Sequence, residues 1–304
     1  MVSPGGVCSV KKIRLAIGLL LWATAVVVLS AEQPQRWVSA GGSLTEWIAV
    51  LGGQSRLVGV DTTSQHPESL QTLPRIGYQR QLSAEGILTL RPDILVGSEE
   101  MGPPPVLDQL RRTGVRVETL SADASLDTLH RTLEALGTWL GRPEEAQRQF
   151  ARYSDALHNL ESRIHAAQAH HASPGVLLLI GGTGDRPLIA GPGTLGDWLI
   201  KQAGGINLAT QPGYKALSSE VLAGLDPAYI IIADRRLEGA AAAQALLKQN
   251  PALEQSQAVR EGHLLPIDAT VLVGGLGPRL PEVAEHLAGQ FYLQDLPEPA
   301  AGQP

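Results

Sequence analysis

Pro143-Glu144-Glu145-Ala146-Gln147-Arg148-Gln149-Phe150-Ala151-Arg152-Tyr153-Ser154-Asp155-Ala156-Leu157-His158-Asn159-Leu160-Glu161-Ser162-Arg163-Ile164-His165-Ala166-Ala167-Gln168-Ala169-His170-His171 divides this chain in two. Proline in a first turn, followed by two acidic residues, is a helix start signal. Ala146, Phe150, Tyr153, Leu157, Leu160, Ile164 and Ala167 then recur at spacings of four and three, a single apolar stripe. No Gly or Pro intervenes before Pro174-Gly175. At 1.5 Å per residue such a helix spans about 42 Å. The pattern predicts a stiff connecting helix over 143–172 between a first lobe, 31–142, and a second, 173–295. His158 and His165 share a face of that helix beside the stripe and read as solvated histidines rather than a zinc site.

Upstream, Trp37-Val38-Ser39, Leu57 to Val60, Ile94 to Gly97 and Val115 to Glu118 are short apolar runs expected to be buried parallel strands. Ser43 to Leu51 and Val106 to Thr113 read as helices between them. Strands alternating with helices predict an α/β fold: two Rossmann-like lobes with parallel sheets, joined by the long helix, the ligand cleft between them. Gly41-Gly42-Ser43-Leu44-Thr45-Glu46 reads as a strand-to-helix turn with a capping box, Ser43 at the N-cap and Glu46 three residues on. A free helix N-terminus there makes Ser43 a candidate contact for an anionic ligand group. His66, in Ser64-Gln65-His66-Pro67, belongs to a turn and is a surface or pocket-rim residue.

Downstream, Val176 to Ile180, Tyr229 to Ile232 and Leu264 to Ile267 are expected strands, with helices at Leu195–Ala203 and Pro281–Gln290. Gly181-Gly182-Thr183-Gly184-Asp185 lacks the spacing of either nucleotide-binding glycine motif. An internal echo is informative. Ser83-Ala84-Glu85, then Pro92 and Ile94-Leu95-Val96, reappears as Ser218-Ser219-Glu220, then Pro227 and Tyr229 to Ile232. Each copy reads as capped helix, proline turn and strand, so the two lobes face each other as repeats. Gln211-Pro212-Gly213-Tyr214-Lys215 becomes the second-lobe counterpart of the loop around Tyr78. That makes Tyr214 and Lys215 candidates for the opposite cleft wall. A Pro/Gly-rich tail at 296–304 is expected to be disordered.

The remaining stretch with chemistry is Arg75-Ile76-Gly77-Tyr78-Gln79-Arg80-Gln81-Leu82-Ser83. In an extended segment residues two apart share a face, so Tyr78 and Arg80 can serve one site. Ionising a phenol at neutral pH costs about 4 kcal/mol. A guanidinium at ~4 Å offsets about as much at an effective dielectric of 20. The pair is a plausible phenolate source, and a phenolate is a hard ligand for ferric iron, including haem iron.

At the amino terminus, Lys11, Lys12 and Arg14 precede the apolar run Leu15 to Ser30, as in a secretory signal peptide over 1–30. The run is shorter than the roughly 20 residues of a spanning helix. The single cysteine, Cys8, lies before that run, so a processed chain has no disulfide and no thiolate ligand. Processing lowers Lys+Arg from 24 to 21 against 30 Asp+Glu, a net charge of −9. That balance argues against nucleic acid. The chain shows no HExxH, no GxSxG and no paired cleft carboxylates, so it is not read as an enzyme.

Ser39 to Glu46, Gly59 to Ser64, Ile76 to Gly86 and Arg91-Pro92-Asp93 resemble the haemin-binding periplasmic proteins of bacterial haem ABC importers, and the similarity continues loosely to about residue 290. That resemblance implies a haem carrier in the periplasm, with haem b as transported ligand and no catalytic cofactor. In that family the tyrosine at the Tyr78 position is the axial iron ligand and the arginine at the Arg80 position hydrogen-bonds its oxygen, which is what the resemblance implies for Tyr78 and Arg80. It also implies little lobe movement on binding, one surface glutamate per lobe, Glu85 and Glu220, docking onto the permease, and a possible outer-membrane haem receptor system upstream. Glu99 or Glu100 could take the place of Glu85. Relatives that stack two haems use a second-lobe histidine, and Gly181 to Leu188 contains none. Ferric siderophore or cobalamin binding is the alternative within the class, and a periplasmic haem- or metal-dependent enzyme the alternative outside it.

Overall fold

The computed structural model describes residues 35–181, 187–234, 237, 239–292 and 296–297. The amino-terminal apolar run, residues 182–186 and most of the carboxyl-terminal tail lie outside them. The first lobe comprises β1 (Trp37–Ala40), α1 (Gly42–Val50), β2 (Leu57–Val60), α2 (Ala84–Thr89), β3 (Ile94–Ser98), α3 (Pro104–Arg112), β4 (Arg116–Leu120) and α4 (Leu126–Leu140). Its strands form a wholly parallel sheet in the order β2-β1-β3-β4. β1 and β3 are buried along their whole length, as a parallel sheet covered on both faces requires. Helix α4 is absent from the sequence reading although its signals are present. The Ser125 hydroxyl accepts the Thr128 N–H at 3.2 Å, Leu129, Leu133, Leu136 and Leu140 are buried, and Gly141 ends it at φ 71°.

The connecting helix α5 (Pro143–Gln168) is 26 residues long. Ala146, Tyr153, Leu157, Leu160, Ile164 and Ala167 are buried, Phe150 partly. It stops short of His171 because the residues after Ala167 are exposed and offer nothing to bury.

The second lobe continues with β5 (Gly175–Gly181), β6 (Leu188–Ala190), α6 (Leu195–Gln202), β7 (Ile206–Asn207), β8 (Tyr214–Ala216), α7 (Ser219–Gly224), β9 (Tyr229–Asp234), α8 (Gly239–Gln249), α9 (Gln257–Arg260), β10 (Leu264–Asp268) and α10 (Leu280–Tyr292). Strands β10, β9, β5 and β7 are parallel, as expected, but β6 and β8 add an antiparallel edge. The link from β5 to β6 is too short for a crossover helix, which needs about a dozen residues, so the chain returns antiparallel. Both α2 and α7, and both β3 and β9, begin 135 residues apart.

One apolar core runs through both lobes. Trp47 on α1 packs on Tyr153 of α5 with ring centres 5.9 Å apart, and the same cluster takes in Ile231 of β9 and Phe291 of α10. Alternate strand residues face away into two outer clusters, Leu95 in the first lobe and Ile230 in the second.

The lobes meet a second time at α1, and here the expected capping box does not form. The N-cap is Gly41, at φ 120°, without a side-chain cap. Gly42 lies so close to Thr63 that a Cβ would meet the Thr63 carbonyl oxygen at 2.8 Å. The helix therefore starts before Ser43, and its first N–H groups are taken from elsewhere: Gly41 donates to Asp61 Oδ1 at 3.1 Å, Gly42 to Thr63 Oγ1 at 3.0 Å. Ser43, Glu46 and Trp47, one helical face, turn to the second lobe instead. Ser43 Oγ donates to the Gly275 carbonyl at 3.1 Å and Trp47 Nε1 to Leu276 at 2.7 Å. Arg279 donates to both Glu46 oxygens, at 2.9 and 2.7 Å, and to Asp268 at 2.7 Å. His66 Nε2 reaches the same Asp268 carboxylate at 2.9 Å. Burial pushes the Asp268 carboxyl up, yet the hydrogen bonds from Thr270 and Arg279 outweigh it and hold the group below the usual carboxylate range. Burial likewise pulls Arg279 down, and Glu46 and Asp268 more than restore it.

Candidate ligand site

A cavity of about 460 Å³ lies between the lobes. That size falls within the roughly 300–1,000 Å³ of small-molecule sites. Its wall is built where strands end: Glu99 and Glu100 follow β3, Ala122 to Ala124 follow β4, Ile180 is the last residue but one of β5 and Ala269 follows β10. This is where an open parallel sheet presents its ligands. Tyr78, Gln79 and Arg80 complete the first-lobe side, while Leu188, Leu195, Tyr214, Leu272 and Val273 face them from the second. A neighbouring cavity of about 410 Å³ shares Tyr78, Ala269 and Val273 and is otherwise mostly polar, with Thr62, Thr63, Gln65, Asp234, Asp268 and Thr270 beside Leu237.

Tyr78 is not on an extended segment. Gln81 N–H donates to the Tyr78 carbonyl at 2.7 Å, so residues 78–81 form a turn, entered through Gly77 at φ 89°. A positive φ at that point suits glycine. The same-face argument for Tyr78 and Arg80 fails, yet the turn brings both to one cavity wall. Backbone bonds pin the turn on two sides. Thr62 N–H reaches the Gly77 carbonyl at 2.9 Å, next to β2, while Gly102 N–H reaches Gln79 O at 2.9 Å and Leu82 N–H reaches Gly102 O at 2.8 Å. Arg75 secures the base, donating to the Asp61 and Ser64 carbonyls at 3.0 and 2.7 Å.

The Arg80 guanidinium is held by Glu100, Nη2 to Oε1 at 2.5 Å, and the buried Gln79 donates Nε2 to the other oxygen at 3.2 Å. Neither Gln79 nor Glu100 is marked by its local sequence as a cleft residue. Nothing local distinguishes Glu100 from its neighbour Glu99, which instead accepts from Ser121 Oγ and Ala122 N–H at 3.3 and 3.2 Å. Both glutamates line the cavity, Glu99 exposed and Glu100 half-buried.

Among the second-lobe candidates, Tyr214 lines the cavity and Lys215 does not. They are consecutive on β8, and consecutive strand residues point to opposite faces. Ser43 is buried beneath the cavity floor at 2% exposure and bonded to Gly275, so it is not a cleft contact. Thr194 caps α6 by accepting the Asp197 N–H at 3.1 Å and lines the cavity. Burial raises the Asp197 carboxyl, but Lys201, Asn207 and Gly193 overcome this and lower it. Glu85 is exposed in the first turn of α2. The side chain of Glu220, and residues 182–186 of the segment Gly181 to Leu188 that contains no histidine, lie outside the described residues.

Comparison with known proteins finds the family described as "Periplasmic binding protein" matching residues 38–271. A crystal structure of a periplasmic heme binding protein from Pseudomonas aeruginosa is 58% identical, covers 86% of this chain and 94% of that chain, and superposes with a TM-score of 0.84. The apo form of a periplasmic heme-binding protein from Roseiflexus sp. RS-1 is 35% identical over 85% of this chain and 98% of its own, with a TM-score of 0.76. Among curated proteins, a vitamin B12-binding protein of Pectobacterium atrosepticum is 26% identical over 219 residues, 70% of this chain and 77% of its own.

Proposed function

The chain belongs to the periplasmic binding protein family, and from that premise we propose that it carries haem through the periplasm to an ABC importer, with the Tyr78 oxygen as axial ligand to ferric iron. The observation that carries this reading is the cavity itself. One wall presents Tyr78 and Arg80 on a pinned turn, and the other is largely apolar, with Ile180, Leu188, Leu195, Leu272 and Val273. A flat, apolar macrocycle with a hard ferric centre matches that division. Apolar burial supplies affinity at about 25 cal/mol per Å², and coordination fixes orientation. Arg80 stabilises the phenolate, and Tyr214 covers the opposite face. Similarity to heme-binding structures at 58% and 35% identity supports haem as the cargo.

The protein acts by binding and release rather than by turnover. Glu85 and Glu220 are proposed as the docking carboxylates for the permease, one at the head of each repeat-related helix. Charge complementarity of that kind sets register and association rate. Export to the periplasm through residues 1–30 belongs to the same reading, as does haem supply from an outer-membrane receptor.

Curated relatives named for vitamin B12 favour cobalamin as the second reading. Absorbance titration of residues 31–304 with ferric haem, beside cyanocobalamin, separates the two. Haem binding is expected to saturate with a phenolate-to-ferric charge-transfer band that Tyr78→Phe abolishes. A haem complex of Tyr78→Phe with the wild-type spectrum would remove Tyr78 as the ligand. Saturable cobalamin binding without haem binding would reassign the cargo.

A further inference from the structure

We propose that Glu100 is the positioning residue of the Tyr78–Arg80 pair: it sets where the arginine's charge sits at the cavity wall, and through it how firmly the iron ligand is held. The consequence for iron rests on the haem reading above. The Glu100 carboxylate bridges the two residues that follow Tyr78, one oxygen to Arg80 Nη2 at 2.5 Å and the other to Gln79 Nε2 at 3.2 Å. Gln79 is 1% exposed and its Oε1 is buried without a partner, so the bond to Glu100 is what holds its amide. Flipping that amide would set an oxygen against a carboxylate, which fixes a single orientation. Glu100 is itself tied back, its N–H donating to Ser98 Oγ at 3.3 Å at the end of β3.

A guanidinium has five N–H donors in a fixed planar fork. Anchoring one end at Glu100 restricts where the others can lie at the cavity wall that Arg80 lines, where they could meet a phenolate or a ligand carboxylate. Without the anchor, a half-exposed arginine samples many rotamers. Groups that orient metal ligands from outside the coordination sphere act in this way. Charge and position predict opposite signs. If Glu100 merely diluted the positive charge of Arg80, removing its charge would favour the phenolate and extend iron ligation to lower pH. If it positions Arg80, removal weakens the phenolate, and ligation is lost at higher pH.

The test is Glu100→Gln, isosteric and checked for folding by circular dichroism, with pH titration of the ferric-haem charge-transfer band. The midpoint for loss of the band is expected to rise by about one unit and haem affinity to fall about tenfold, in the range for such outer partners. Glu100→Asp should lie between, and Glu100→Gln should add nothing in an Arg80→Ala background. A midpoint at or below the wild-type value overturns the proposal. A second arm needs no haem: in the ligand-free wild type, Arg80 guanidinium NMR signals, assigned with Arg80→Lys, should be resolved by restricted rotation and averaged in Glu100→Gln. Averaged signals in the wild type overturn the proposal by themselves. Absence of the haem band in a wild type with restricted Arg80 signals would overturn the haem reading and leave the positioning role standing.

Discussion

Two tyrosines reach one cavity from repeat-related places, and their settings differ. Tyr78 sits on a turn that backbone bonds fix to the end of β2 and to Gly102, with Gln79, Arg80 and Glu100 joined beside it. Tyr214 sits on the edge strand β8, 38% exposed, with its neighbours Lys215 and Ala216 exposed as well. In the proposed haem reading the Tyr78 oxygen must be held within a fraction of an ångström, and a pinned turn can do that. A covering ring needs only to lie over a ligand face, and an edge strand suffices. The two lobes offer similar frames, with α2 and α7, and β3 and β9, beginning 135 residues apart, and the contacts around each tyrosine make them unequal.

The two walls belong to different lobes, and the α1 seam bonds those lobes together. Breaking the seam should therefore have the largest effect. Arg279→Met leaves Glu46 buried without its cation, expected to cost about 3–5 kcal/mol and to be read as a fall in denaturation midpoint. Retention of wild-type stability would mean that the seam does not hold the lobes. Next comes the tyrosine contrast itself. Tyr78→Phe should eliminate the charge-transfer band and weaken haem binding roughly a hundredfold or more, beyond the usual loss for an outer partner. Tyr214→Ala should keep the band and weaken binding several-fold, about 1 kcal/mol for one aromatic contact. Equal losses for the two tyrosines would end the distinction.

The smallest effect concerns acid. The Asp268 carboxyl is held low in the folded protein, so its contribution is present above the unfolded value of about 3.9 and is lost as pH falls through the lower folded value. Melting temperature should therefore drop more steeply with acid, below about pH 4, in the wild type than in Asp268→Asn. Parallel slopes would show that Asp268 does not stabilise through its charge.

The legible parts were those set by local periodicity. The α5 stripe, the apolar strands and the 135-residue echo all depend on spacing along the chain, and the observed elements follow them. The α4 signals, Ser125 at the N-cap, the leucine stripe and Gly141, are equally local. Ser43 and Glu46 show the opposite case. Their spacing satisfies a capping box, but Gly42 must approach Thr63 so closely that the helix starts earlier, and both side chains are then claimed by a lobe more than 200 residues away. Lys215 was misassigned because the loop around Tyr214 proved to be a strand, where neighbours diverge.

The sequence by itself determined two α/β lobes, their stiff connection and the candidacy of Tyr78 and Arg80, because each is written in neighbours a few positions apart. Tertiary structure alone decided that Glu100 would grip Arg80, that Glu46 would meet Arg279, and that Ser43 would be buried away from the cleft. Those partners lie 20 to 233 residues apart, and only the packed chain brings such groups within hydrogen-bond distance.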